Sequence, residues 1–190
     1  MTRLFSVLFL FAPIAGFAHM TGQPHHTIAS GLFHPLTGID HLLALLAVGW
    51  IAHRPQAAWQ GTVLFCLFLG SMFAGAVNEI GGSPSLIAEY VICISLILSG
   101  VTIAAPTQGK YAALLLIVAG LAHGFAHGSE CPAGSGSVAF LAGMVAGSAL
   151  LLTLGRLAHR RIEAGGAQVT VRLAISCCLT MAGALLLSRV

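Results

Sequence analysis

The stretch Gly120-Leu121-Ala122-His123-Gly124-Phe125-Ala126-His127-Gly128-Ser129-Glu130 sets two histidines and a carboxylate at the end of an apolar run. As a helix it places His123 and His127 one turn apart and brings Glu130 back almost beneath His123, so all three project from one side. Gly120, Gly124 and Gly128 recur every fourth residue and form a flat stripe that a neighbouring helix can approach closely. A polar face of this kind on an otherwise hydrocarbon helix needs partners that lie elsewhere in the chain.

The surrounding composition is that of a membrane bundle. The 190 residues are 57% hydrophobic and 7% charged, with a mean hydropathy of +0.96, a balance outside the range of water-soluble domains. A formal charge of +3 spread over eight Lys and Arg is too sparse for a nucleic-acid surface. The five cysteines form no Cys-x-x-Cys pair, and four of them, Cys66, Cys93, Cys177 and Cys178, lie in apolar runs, where they are expected to be small core residues. Cys131 follows Glu130 in a polar loop, where it reads either as an accessory soft ligand or as an inert thiol.

The expected fold is all-α: a polytopic transmembrane helix bundle of six spans after a cleaved signal peptide. Residues 1–18 carry Arg3, an apolar run from Leu4 to Phe11 and the small-residue ending Gly16-Phe17-Ala18, a secretory signal pattern. Cleavage after Ala18 makes His19 the first residue of a single transmembrane domain, 19–190. If the signal is retained it adds a span, and Arg3 still holds the start in the cytoplasm. Apolar segments at about 35–53, 60–79, 86–105, 111–128, 137–158 and 169–188 are mostly near the length that crosses a bilayer. They are separated by turn chemistry such as Gly81-Gly82-Ser83-Pro84 and Cys131-Pro132-Ala133-Gly134.

Charge sets the orientation. Arg54, Lys110, Arg156, Arg160, Arg161 and Arg172 fall at alternate connections, which makes those connections cytoplasmic and the mature N-terminus periplasmic in a bacterial inner membrane. Asp40, Glu79, Glu89 and Glu130 then lie at or near the outer ends of spans, as do His19, His25, His26, His34, His41, His123 and His127. His53 and His159 stay with the cytoplasmic arginines.

A second polar motif, His34-Pro35-Leu36-Thr37-Gly38-Ile39-Asp40-His41, opens the first span. Pro35 suits a first helical position, and His41 returns to the face of His34 seven residues on. Asp40 and His41 are then expected about 8–10 Å deep by helical rise. A carboxylate at that depth costs about 2.5–3.5 kcal/mol and requires a partner or water. Two such motifs in the outer half of one bundle supply up to four imidazoles and two carboxylates. Neutral imidazole nitrogen with carboxylate oxygen suits nickel(II), cobalt(II) and zinc(II), with copper(II) also compatible. Copper(I) calls for clustered thioethers, whereas Met20, Met72, Met144 and Met181 are scattered.

The paired motifs His34-Pro35-x-x-Gly38-x-Asp40-His41 and His123-Gly124-Phe125-Ala126-His127-Gly128-x-Glu130, with Ala47-Val48-Gly49 after the first, resemble those of the HupE/UreJ membrane proteins over essentially the whole chain. That resemblance implies a nickel permease, in some members for cobalt, often serving hydrogenase or urease maturation. It carries metal-binding roles to His34, Asp40, His41, His123, His127 and Glu130. Asp40 can instead orient an imidazole from behind. Ala122 departs from the family pattern, where an aromatic is expected. His19, His25 and His26 form a candidate capture tail, and equally read as a solvated segment.

The expected function is therefore uptake of a divalent metal, passive or driven by a gradient as in a secondary permease, by a protein that is not an enzyme. Gly109-Lys110 is followed by Tyr111 and lacks the rest of a phosphate-binding loop. One alternative is an intramembrane zinc hydrolase with Ser129 and Glu130 as polar partners, although no His-Glu-x-x-His or Gly-x-Ser-x-Gly pattern occurs. Another is a metal sensor or structural subunit. The expected partners are the lipid bilayer and the metal ion.

Overall fold

A computed structural model describes residues 27–52, 58–78, 86–105, 110–132, 134–164 and 168–190. The expected signal peptide, His19, His25, His26, His53, Arg54 and Glu79 lie outside these residues. The described chain is all helical, with α1 Ile28–Thr37, α2 Ile39–Ile51, α3 Ala58–Asn78, α4 Leu86–Ala104, α5 Lys110–Ser129, α6 Ser137–Glu163 and α7 Gln168–Leu187. Four of them, α4 to α7, are long and apolar enough to cross a bilayer, and α1 with α2 makes a fifth if the bent pair is one span. Each of the six expected apolar segments contains helix. Helix α3 is 21 residues long, and its stretch Val63–Val77 is apolar.

The first segment departs from the expected straight span. Its helix starts at Ile28 because Thr27 and Ser30 cap it reciprocally: Ser30 N–H donates to Thr27 Oγ1 at 3.0 Å, and Thr27 N–H donates to Ser30 Oγ at 3.1 Å. Pro35 is consequently inside α1 rather than at its start. Lacking an N–H, it leaves the Gly31 carbonyl without its helical donor. The Thr37 hydroxyl then donates to the His34 carbonyl at 2.8 Å, competing for the acceptor that Gly38 would need to continue the helix. Gly38 takes an extended conformation, φ −84° and ψ 115°, and α2 leaves at 84° to α1. Asp40 is thereby in the first turn of α2, not a turn and a half inside a helix. There it faces unpaired backbone N–H groups, which favour a carboxylate.

Close helix contacts hold the bundle. Helix α3 lies along α5, α4 lies along α7, and both α1 and α2 run against α6. A Cβ at Gly124 or Gly128 would overlap the Phe68 or Met72 carbonyl of α3, and one at Gly75 would overlap the Phe125 carbonyl of α5. The α3 and α5 backbones therefore meet through glycine in both directions. Gly31 and Gly143 do the same for α1 and α6, as Gly49 and Gly155 do for α2 and α6. Gly120 is different: a Cβ there would have no neighbour within 4 Å. Only the 124/128 part of the expected stripe is a packing surface.

Apolar side chains fill the space between. Phe140, Met144 and Leu151 of α6 pack with Leu45, Phe68 and Met72, while Leu96 and Leu179 pack with Ala44, Ala47 and Trp50. Of the four cysteines expected in the core, only Cys93 is buried; Cys66, Cys177 and Cys178 are exposed. At the end of the bundle opposite His34, His159 lies 3.3 Å from Glu163 and meets Trp50 edge-on at 5.0 Å.

Candidate metal centre

Two different backbones deliver one cluster. Unbroken α5 presents His123 and His127 a turn apart, and Glu130 follows just past its end, its N–H still donating to the Ala126 carbonyl at 3.2 Å. The bend at Gly38 delivers His34 from α1 and His41 from α2. The ring centroids of His41 and His127 are 4.2 Å apart, with His41–His123 and His34–His127 each at 5.8 Å. Phe140 packs edge-on against His34 at 5.5 Å, and Phe68 against His127 at 6.1 Å. These two aromatics were not singled out in the sequence; neither carries chemistry that would mark it there.

The cluster centres on one carboxylate oxygen. His34 Nε2–H donates to Glu130 Oε2 at 2.7 Å, while His41 Nε2 and His127 Nδ1 each approach the same oxygen to 3.7 Å. Burial raises the Glu130 carboxyl, but the imidazoles of His127, His34 and His41 outweigh it and hold the group well below the usual carboxylate range. Donor atoms of His34, His127 and Glu130 all lie within 4.8 Å of one another.

Several ring nitrogens are sealed from solvent with no hydrogen-bond partner: His41 Nδ1, His123 Nε2 and both nitrogens of His127. Their burial is costly unless something binds them. His123 has a defined tautomer, because its Nδ1 lies 2.8 Å from the Ala119 carbonyl, which can only accept. In the neutral ring this leaves Nε2 with a free lone pair, the form that ligates a metal.

Exposure falls along the cluster. The His34 and Glu130 side chains are 26% and 31% exposed, His41 is 8%, and His127 is 0%. One end of the site therefore reaches the surface and the other is buried. Five of the six expected ligands converge in this way. Asp40 does not: its Oδ2 is 3.9 Å from His41 Nδ1, beyond hydrogen-bond distance, and its side chain is 34% exposed. His19, His25 and His26 lie outside the described residues. Cys131 Sγ is 3.8 Å from the Pro132 and Ser137 carbonyls, and burial pushes its thiol up, so it is a protonated, weakly ligating group.

The family model described as HupE / UreJ protein matches residues 7–186. The chain belongs to the HupE/UreJ family. Protein HupE of Rhizobium leguminosarum bv. viciae is 34% identical over 183 residues, spanning 94% of this chain and 93% of the relative. No solved structure matches the chain. The HupE/UreJ family is associated with nickel and cobalt handling, as permeases or as hydrogenase and urease accessory proteins. In this HupE/UreJ chain the histidine motifs resembling the family's are the ones that converge, and the helices around them are those of a multi-pass membrane protein.

Proposed function

We propose that this protein carries a divalent transition metal, nickel(II) foremost, across the bacterial inner membrane into the cytoplasm as a passive or secondary permease. The observation that supports the reading best is the convergence of three imidazole nitrogens on Glu130 Oε2 from three separate helical elements. Imidazole with carboxylate is a borderline donor set suited to nickel, cobalt and zinc rather than to calcium or copper(I). His34, His41, His123, His127 and Glu130 would hold the ion, with Asp40 at the edge of the set.

The graded exposure supports movement over permanent storage. An ion arriving at His34 and Glu130 exchanges water for ligands at the surface, then meets the drier His41 and His127. A transport site must bind firmly enough to dehydrate its ion and loosely enough to release it. The arginines at the other end of the bundle favour a cytoplasmic position for that end by charge bias, which supports a periplasmic position for the open end of the cluster. The segment bearing His19, His25 and His26 then serves as a capture tail on that side.

Proteoliposomes containing the protein should take up radiolabelled nickel, and His127→Ala should abolish uptake while inserting normally. Competition by cobalt, zinc and copper(II) in the same assay ranks the cargo ions. Uptake by His127→Ala at the unsubstituted rate would overturn the site.

A further inference from the structure

The histidine cluster has an inner side. Beneath it, between α2, α3, α5 and α6, lies a cavity of about 420 Å³ with mostly apolar walls. His123 belongs to both: its ring meets His41 at 5.8 Å in the cluster, and it also lines the cavity. On α5 the lining runs from His123 to Leu116, and on α6 from Ala149 to Arg156. Each covers seven residue steps, or about 10 Å along the helix. Arg156 is exposed and marks the far mouth.

We propose that this cavity is the inward leg of the metal's path and that His123 hands the ion from the cluster into it. The proposal rests on the transport reading above and adds the route of release. His123 is fitted for the transfer by its fixed tautomer, with Nδ1–H held by the Ala119 carbonyl and the buried Nε2 left without a partner. At about 420 Å³ the cavity is many times the size one water needs, so it can admit a divalent ion together with water. Beyond His123 the mostly apolar walls offer only the Thr153 hydroxyl, which already donates to the Ala149 carbonyl at 2.8 Å, so an ion that leaves His123 meets few groups to hold it on the way. The Arg156 guanidinium at the mouth is exposed, so water screens its charge and it does not close the path to a cation.

Gly120 provides the test. It lines the cavity, and a Cβ added there meets nothing within 4 Å, so Gly120→Phe starts its side chain into the path without its Cβ pushing on a helix. Ala149→Phe plugs it from the opposite wall, and Leu121→Phe, one residue away on a face that is 39% exposed, is the control. Equilibrium binding of nickel and uptake into proteoliposomes are measured on the same preparations. Both plugs should bind nickel like the control, while uptake falls at least about tenfold. Binding identifies a plug that disturbs the fold, and the other plug then decides. A plug that binds nickel and transports at the control's rate overturns the path. That outcome is distinct from failure of the site itself, which appears as unaltered uptake by His127→Ala.

Discussion

The two arms of the cluster present similar residues through opposite backbone solutions. On α5, His123, His127 and Glu130 are brought together by helical periodicity alone, and glycine contacts with α3 keep that helix straight and in place. On the other arm, His34 and His41 sit on separate helices at 84°, and the extended Gly38 between them does the positioning. A continuous helix sets its ligands by rise and rotation, so any error in its packing moves them all together. A broken pair sets each ligand independently, at the cost of unpaired backbone groups, of which the Thr37 hydroxyl satisfies the His34 carbonyl and the charge of Asp40 suits the exposed helix start. The arms should therefore fail differently.

The largest effect is expected on the continuous arm. A Cβ at Gly128 would overlap the Met72 carbonyl and lie 2.8 Å from the Ala76 nitrogen, both main-chain atoms that cannot rotate away. Gly128→Leu must therefore separate α3 from α5, an overpacking cost of about 1–3 kcal/mol or more. Loss of nickel binding together with a lower unfolding temperature in detergent is the expected result. Retention of both would mean that α5 does not depend on its glycine contact. The same substitution at Gly120, where there is open space, should leave the unfolding temperature unchanged.

An intermediate effect belongs to the broken arm. Asp40 is close enough to the buried His41 ring to polarise it, at 3.9 Å, yet too far to hydrogen-bond. Asp40→Asn keeps the shape and removes the charge. As a partner behind a ligand, its loss should raise the nickel concentration for half-maximal uptake about 10–100-fold and spare the maximum rate. If only stability falls, Asp40 is simply a favourable charge at a helix N-terminus, worth about 0.3–1 kcal/mol. Abolition of uptake at saturating nickel would instead make it a direct ligand, and the two arms would then contribute equivalent carboxylates.

The same contrast explains what was legible in the residues. Composition and turn chemistry located the apolar segments, because burying many nonpolar side chains in lipid leaves a signal in every residue. The His123/His127/Glu130 face was legible because i, i+4 spacing is local geometry. The break at Gly38 was not. Pro35 fits a first helical turn as well as an interior position, and the choice was made by Thr27 and Ser30, a capping box closed by serine instead of the usual glutamate or glutamine. Proximity of His34 to Glu130 was inferred from shared depth, whereas their 2.7 Å contact depends on the angle of the bend. The cavity had no signature, since it is made of side chains that are absent: Gly120 looks identical to Gly124 and Gly128 until α3 is in place.

The smallest effect is expected where the two arms end, at Cys131. It follows Glu130 directly, and a thiolate there would convert an imidazole and carboxylate site into a softer one with a preference for copper(I). Two features oppose this. Its Sγ is directed at the Pro132 and Ser137 carbonyls, at 3.8 Å each, and burial keeps the thiol protonated. The side chain also packs beside the apolar cluster of Phe140 and Met144, where a small nonpolar group is tolerated. Cys131→Ser should therefore leave nickel uptake and the ranking of competing ions unchanged within about twofold. A selective loss of copper inhibition in that variant would place sulfur in the site, and the donor chemistry would no longer be supplied by the two histidine arms alone.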